Sequence, residues 1–189
     1  MIEFLENDLP PQGVGFSFVY CNHKESSAQS IEYFISAIVR QLVERRQTIP
    51  QEVRTLYEKH QGKETSPTLG ECLTVIQSLS KDCSEVYIVI DALDECIDKN
   101  GQMLWNELLD KLEDSVHNIR LLYTSRHMEN AEGVLKNSTQ IDIRASEADM
   151  KAYVQMQLKS NYRLLGFCKK DPKLEEAILE VVVSKADGM

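Results

Sequence analysis

The sequence predicts an α/β domain built around a mostly parallel sheet, followed by a purely helical segment. Short apolar segments with strand character alternate with longer stretches whose apolar residues recur at helical spacing. Such alternation is typical of parallel sheets, because each crossover between parallel strands needs a helix. After about residue 143 only helical patterns remain. We therefore expect one domain over residues 1–144 and the start of a second, helical one over residues 145–189.

The first half of the chain predicts one strand and three complete helices. Residues 1–7 resemble the end of a further helix. The segment GFSFVYC is aromatic and β-branched with no charge, as a strand covered on both faces would be. Ser26 or Ser27, Pro50 and Thr68 can each begin a helix. The predicted elements are the strand 15–21 and the helices 27–46, 50–60 and 68–79.

The second half predicts further strands and helices in alternation. Its strongest signal is the apolar run VYIVI, which ends at an acidic residue. Ser146 and Asp149 have the spacing of a capping box, and Pro172 stands at a favoured first helical position. The predicted elements are the strands 86–90, 119–123 and 140–143 and the helices 101–113, 147–158 and 172–182.

Composition narrows the class of protein. The 189 residues carry a formal net charge of −9 and are 42% hydrophobic, which is ordinary for a globular chain. The negative charge argues against electrostatic binding to nucleic acid or to an anionic membrane. The apolar runs are too short to span a bilayer. The five cysteines include no C-x-x-C pair, which predicts reduced thiols and a cytoplasmic location.

Three acids follow the predicted strand 86–90 directly: Asp91, Asp94 and Glu95. Unpaired charges are costly inside a sheet, so these side chains should emerge at its carboxyl edge, where open α/β sheets bind ligands. An Asp there can hold Mg²⁺ beside nucleotide phosphates, and a further acid can orient the attacking water. The small Ala92 permits a sharp turn. A single Asp would more often cap the next helix, but three acids within five residues favour a metal or nucleotide role.

A second polar cluster, Thr124-Ser125-Arg126, follows the predicted strand 119–123. It would deliver hydroxyl groups and a permanent cation to the same edge of the sheet. The planar guanidinium of arginine can recognise a γ-phosphate with several donors at once. An isolated arginine at this position would more simply pair with a surface carboxylate. Combined with the acids one strand earlier, Thr124 and Arg126 predict a phosphate-binding and sensor pair.

These two clusters together carry a family resemblance. The segments YIVIDALDEC (87–96) and IRLLYTSR (119–126) resemble the NACHT family of STAND-class P-loop NTPases. They are similar to its fungal branch, which includes heterokaryon-incompatibility proteins, and to the nephrocystin-3-like N-terminal module. A small residue after the first acid and then two more acids mark the family, and Ala92 with the acids after it fits. The resemblance covers roughly residues 13–189.

The resemblance implies a three-layer P-loop NTPase-type parallel sheet followed by lid helices. Asp91 would be the Walker B acid that binds Mg²⁺ when a nucleotide is present, and Asp94 and Glu95 would be the catalytic or switch acids. Thr124 and Arg126 would bind the nucleotide phosphates. The cofactors implied for the complete domain are Mg²⁺ and ATP or GTP.

One part of the family pattern is not found in this sequence. The phosphate-binding loop has the form G-x-x-x-x-G-K-[ST], and Gly62-Lys63 does not fit because Glu64 follows where Ser or Thr is needed. In the family this loop and its strand come before the first strand seen here. We therefore expect a fragment that lacks its P-loop strand, with a gap in the sheet, and that binds nucleotide little or not at all by itself.

In the complete protein the resemblance implies a nucleotide-binding signalling switch with slow hydrolysis. Its expected partners are the nucleotide, further copies of itself and effector or repeat domains. Two alternatives remain: a non-catalytic interaction or scaffold fragment, and a Mg²⁺-dependent phosphohydrolase that uses Asp91 and Asp94. An aspartyl-phosphate mechanism is disfavoured, because Leu93 stands where the second Asp of that motif belongs. The four histidines show no metal-ligand spacing and are predicted to be surface residues.

Overall fold

The chain divides into two compact units, Met1–Lys136 and Asn137–Met189. The computed structural model describes residues 2, 5, 8, 9, 13–116, 118–126 and 138–186. The described strands and helices of the first unit are β1 (Val14–Tyr20), α1 (Ile31–Glu44), α2 (Gln51–Gln61), α3 (Leu69–Lys81), β2 (Glu85–Asp91), α4 (Trp105–Ser115) and β3 (Ile119–Tyr123). Two 3₁₀ turns, His23–Glu25 and Leu93–Glu95, follow β1 and β2.

Local sequence signals account for the helix boundaries. Thr68 and Glu71 form a complete capping box at the start of α3, as a Ser/Thr-x-x-Glu pattern predicts. The cap of α1 is Ser30 rather than Ser26 or Ser27, because the 3₁₀ turn comes first. The predicted start of α4 near residue 101 is wrong. Gly101 has a φ of +78°, which interrupts the helix, so α4 begins four residues later at Trp105.

The three strands form one parallel sheet in the order β1-β2-β3. The central strand β2 pairs with both neighbours, and the register aligns Tyr20 with Asp91 and Ile90 with Tyr123. The predicted α/β class with a parallel sheet is therefore confirmed. The predicted gap between these strands is wrong, because β2 pairs directly with β1 and with β3. Any further strand would have to join at an outer edge.

The hydrophobic core lies between one face of the sheet and the helices α1, α3 and α4. The strand order means that the connections β1 to β2 and β2 to β3 step in the same direction across the sheet. Right-handed connections of this kind place their helices on the same face of the sheet. Alternate strand residues such as Val86, Ile88 and Ile90 face these helices and are fully buried. Phe34 of α1 and Leu108 of α4 are equally buried and belong to the same cluster. This packing of the helices against the sheet holds the three strands in fixed positions relative to one another.

The outer edge of β1 is covered by a side chain. The Gln41 amide on α1 donates to the Phe18 carbonyl oxygen at 2.7 Å and accepts from the Phe18 N–H at 2.9 Å. It thus acts as a substitute for a neighbouring peptide group, which protects an edge that could otherwise pair with another chain. The edge of β3 has no paired strand among the described residues.

The described residues of the second unit form three helices, α5 (Glu147–Ser160), α6 (Tyr162–Lys170) and α7 (Pro172–Ala186), which pack against one another. The predicted cap at Ser146 is confirmed, since its Oγ accepts from the N–H of Asp149. Helix α6 was not predicted. It is only nine residues long, so its apolar residues Leu164, Leu165 and Cys168 span little more than one helical turn, too short a run for a repeating pattern.

The predicted strand 140–143 is wrong. These residues are irregular, and Ile141 and Ile143 are 78% and 87% exposed. The alternation of polar and apolar residues there resembles a strand, but no strand of the described part of the chain pairs with it. Within the described residues, no helix has the length and apolar character needed to cross a bilayer.

Candidate functional site

The carboxyl ends of the three strands bring together residues that are far apart in the sequence. β1 leads into the turn that contains His23, β2 ends at Asp91, and Thr124 follows β3 directly. Since the strands are parallel and in register, all three ends meet at one edge of the sheet. The predicted site residues that lie at this edge are Asp91, Asp94, Glu95, Thr124 and Arg126.

The turn after β2 is held in an unusual conformation. Ala92 has φ 57° and ψ 52°, the left-handed region, which costs a residue other than glycine about 1–2 kcal/mol. Hydrogen bonds to Thr124 offset this cost. Its Oγ1 accepts from the Ala92 N–H at 3.0 Å and donates to Asp91 Oδ1, and its carbonyl oxygen accepts from the Leu93 N–H at 2.8 Å. Thr124 therefore fixes the orientation of both the turn and the first acid.

Arg126 binds Asp94 through its side chain and its backbone. Nε donates to Oδ2 at 2.6 Å, and the Arg126 N–H donates to Oδ1 at 3.1 Å. Burial opposes ionisation of Asp94, but the hydrogen bonds and charge of Arg126 outweigh it and lower the pKa of this carboxyl group. The Arg126 side chain is 76% exposed, whereas that of Asp94 is only 13% exposed. The guanidinium is thus open to solvent, while the carboxylate that it binds is held within the turn.

Glu95 is held from two sides. Its Oε2 lies 2.8 Å from His23 Nδ1 and accepts from the His23 N–H at 3.2 Å. Its Oε1 accepts from Nη2 of Arg126 at 3.3 Å. The hydrogen bonds from His23, supported by the charge of Arg126, lower the pKa of the Glu95 carboxyl group. Asp94 and Glu95 are thus ionised at neutral pH. Arg126, after β3, contacts both acids, and His23, after β1, contacts Glu95.

The buried amide of Gln29 joins the loops after β1 and β2. Its Oε1 accepts from the Asn22 N–H at 3.0 Å, and its Nε2 donates to the carbonyl oxygens of Glu95 at 3.1 Å and Ile97 at 3.0 Å. The residue is only 6% exposed. Gln29 therefore sets the distance between the two loops, and with it the position of the acidic turn.

Two thiols lie beneath the site and take no part in it. Cys21 and Cys96 are both buried, and each follows a strand or a turn at this edge. Hydrogen bonding to Cys96, together with burial and the nearby acids, raises the pKa of the Cys21 thiol. A protonated, inaccessible thiol is a poor nucleophile, so these residues serve as packing groups.

The site offers few ligands for a metal of its own. Across the described ranges, no three His, Cys, Asp or Glu side chains come together as a metal centre. In the described part of the chain, Asp91 accepts its side-chain hydrogen bond, from Thr124, through Oδ1. Its other oxygen, Oδ2, can therefore act as a metal ligand. Mg²⁺ usually binds one or two carboxylates and completes its shell with water and substrate phosphates. The donor set therefore fits Mg²⁺ that arrives with a phosphate-bearing ligand.

Comparison with known sequences places this arrangement in a family. The family described as "Nephrocystin 3, N-terminal" matches residues 1–126. The chain belongs to this family. The matched region includes the whole cluster from His23 to Arg126, so the site lies within the part that defines a nephrocystin-3 N-terminal domain. This confirms the predicted nephrocystin-3-like resemblance.

A fungal protein is related to this nephrocystin-3 N-terminal family member along the whole length of the chain. The chain is 24% identical over 200 aligned residues to the vegetative incompatibility protein HET-E-1 of Podospora anserina. The alignment covers 100% of this chain and 14% of that protein, so the chain spans about a seventh of its relative. The predicted likeness to fungal incompatibility proteins is confirmed. No solved structure matched the chain significantly.

Two residues of the cluster in this nephrocystin-3 N-terminal domain were missed by sequence reasoning. His23 was predicted to be a surface histidine, and its side chain is indeed 54% exposed, but its contact with Glu95 across 72 positions of sequence was not predicted. Gln29 had no predicted role. A usable signal existed, because both residues follow β1, and all parallel strands end at the same edge. Of the other histidines, His60 contacts Glu71 and its side chain is only 12% exposed, so the surface prediction is wrong for it, and residues 117 and 127 lie outside the described ones.

Proposed function

We propose that this chain is the distal part of a NACHT-type switch domain of the P-loop NTPase class. In this proposal β2 is the Walker B strand and β3 the sensor strand. The observation that carries it is the convergence of Asp91, Asp94 and Arg126 at one carboxyl edge of a parallel sheet. Open α/β sheets bind ligands at that edge, and acids beside a guanidinium there suit a nucleotide with its metal ion.

Each residue receives a role from its contacts. Asp91, oriented by Thr124, would hold Mg²⁺ through Oδ2, and the metal when bound neutralises phosphate charge. Arg126, whose side chain is 76% exposed, can exchange its carboxylate partners for a γ-phosphate. Asp94 and Glu95 are ionised and stand next to Arg126, where either can orient an attacking water.

The same proposal assigns roles to the second unit and to the complete protein. The helices α5, α6 and α7 would be the start of the helical lid subdomain. The complete protein would be a signalling switch that binds ATP or GTP with Mg²⁺, hydrolyses it slowly, and assembles with copies of itself and with effector or repeat domains. The 189-residue chain alone is expected to bind nucleotide little or not at all, because no phosphate-binding loop occurs in it.

The test uses the longer polypeptide that carries this sequence together with a phosphate-binding loop. A fluorescent ATP or GTP analogue should bind it at micromolar affinity in Mg²⁺ and weakly in EDTA. Asp91→Asn should abolish the Mg²⁺-dependent part. Asp110→Asn, on the exposed face of α4, is the matched control and should bind like the wild type.

Other outcomes separate the alternatives. Binding that is unchanged by Asp91→Asn would refute the Walker B assignment. No nucleotide binding with intact self-association would favour the scaffold interpretation. Mg²⁺-dependent phosphate release from non-nucleotide esters by the 189-residue chain would favour the phosphohydrolase interpretation. Micromolar nucleotide binding by that short chain would contradict the expected dependence on the phosphate-binding loop.

A further inference from the structure

The loop after β1 carries a side chain that reaches the acids after β2. His23 contacts Oε2 of Glu95 through both its imidazole Nδ1, at 2.8 Å, and its backbone N–H, at 3.2 Å. The second oxygen, Oε1, accepts from Arg126 at 3.3 Å. Glu95 therefore sits between two partners that come from the two opposite neighbours of β2. No feature of the proposed nucleotide chemistry requires the contact with His23.

The loop that presents His23 is itself well fixed. Asn22 accepts from the Lys24 N–H at 3.1 Å and so caps the 3₁₀ turn. The Gln29 amide then ties the Asn22 N–H to the carbonyl oxygen of Glu95. The His23 side chain is 54% exposed, yet its backbone is held at a set distance from Glu95. The contact between His23 and Glu95 therefore follows from the fixed backbone positions of the two loops.

We propose that His23 is a positioning residue that holds Glu95 against Arg126, so that without a nucleotide the arginine is bound by the acids of its own chain. Asp94 takes Nε of Arg126 and Glu95 takes Nη2, which leaves the guanidinium engaged on two sides. A phosphate that reaches Arg126 must displace these carboxylates. The positioning is a property of this chain, whereas its consequence for hydrolysis rests on the proposed function.

The same contact weakens Glu95 as a base. The hydrogen bonds from His23 lower the pKa of the carboxyl group, and Arg126 adds to the effect. A general base is most effective when its pKa lies near the working pH, so Glu95 held in this way accepts a proton poorly. Loss of the imidazole should leave Glu95 more basic and less firmly oriented. His23 would then restrain the site in its resting state.

The first test measures the positioning in the 189-residue chain by NMR. His23→Ala should move the titration midpoint of the Glu95 carboxyl carbon to higher pH and shift the Nε–H signal of Arg126. His23→Asn should restore both, because Asn Nδ2 occupies the place of imidazole Nδ1 and donates to the same oxygen. His60→Ala is the matched control, since His60 contacts Glu71 elsewhere in the domain and its loss should leave Glu95 unchanged.

Substitution of the half-exposed His23 is expected to leave the domain folded, which circular dichroism checks. An unchanged Glu95 titration and Arg126 signal in His23→Ala would overturn the proposal. So would equal effects of the Ala and Asn variants, because a donor at that position would then be irrelevant.

The second test uses the longer polypeptide with a phosphate-binding loop and measures kcat for ATP and GTP. His23→Ala should raise kcat and move the acidic limb of the pH–rate profile to higher pH, and His23→Asn should behave like the wild type. A fall in kcat for His23→Ala would overturn the restraining role. Absence of hydrolysis in the wild type would count against the proposed function, and the NMR result would still decide the positioning.

Discussion

The amide of Gln29 is the single side chain on which the geometry of the site should depend most. It makes three hydrogen bonds to backbone groups of two loops, with Asn22, Glu95 and Ile97, and it is only 6% exposed. The substitution Gln29→Leu keeps nearly the same volume and removes all three bonds. It therefore isolates the polar contribution from the packing contribution.

The expected magnitude follows from the three hydrogen bonds that leucine cannot make. Each such bond contributes about 0.5–1.5 kcal/mol net to the free energy of unfolding. A buried backbone group that is left with neither a protein nor a water partner costs about 1–3 kcal/mol. Asn22 and Glu95 are only half-buried, so water can reach some of the backbone groups that the amide leaves. The apolar leucine side chain recovers about 1 kcal/mol by its burial. We expect Gln29→Leu to lower the free energy of unfolding of the first unit by about 2–4 kcal/mol.

The assay is urea unfolding followed by tryptophan fluorescence. Trp105 is the one tryptophan of the chain and is 3% exposed in the core of the first unit, so its signal reports that unit. Gln77→Leu, on the exposed side of α3, is the matched control and should change stability by less than about 0.5 kcal/mol. A destabilisation by Gln29→Leu no larger than that of the control would refute the reasoning, because the amide would then not join the loops in solution.

Three further predictions use the same unfolding measurement. The hydrogen bond from Lys59 is the largest of the interactions that lower the pKa of Glu71 in the folded state. The ionised Glu71 therefore stabilises the fold at pH values above its unfolded-state pKa. This contribution is lost as the pH falls through the folded-state pKa. Glu71→Gln should therefore be less stable than the wild type at neutral pH, with a difference that shrinks in acid; a difference that grows in acid would contradict this. Gln41→Glu places an oxygen against the Phe18 carbonyl and should cost about 1–3 kcal/mol, and more at neutral than at acidic pH. Leu108→Ala, at a fully buried position of α4, should cost about 2–5 kcal/mol, and a neutral result would place this residue outside the core.

Most of the fold could be predicted from local patterns. The apolar run of β2 and the helix cap at Thr68 depend on residues close in sequence, and both were confirmed. Errors arose where local pattern and tertiary setting disagree. The segment 140–143 alternates like a strand but has no paired strand in the described part of the chain, and α6 is a helix too short for its apolar residues to repeat. A strand needs a partner for its backbone groups, and no sequence pattern supplies one.

The sequence by itself determined that acids stand at the end of one buried strand and that Thr124 and Arg126 stand at the end of the next. Burial forces charged side chains to the ends of such strands, so this placement follows from local chemistry. Only the tertiary structure decided which groups touch. Parallel pairing in register brings His23 to Glu95, and the packing of α1 brings Gln29 beneath both loops. Those contacts depend on distances between loops set by the whole core, and no spacing along the chain encodes them.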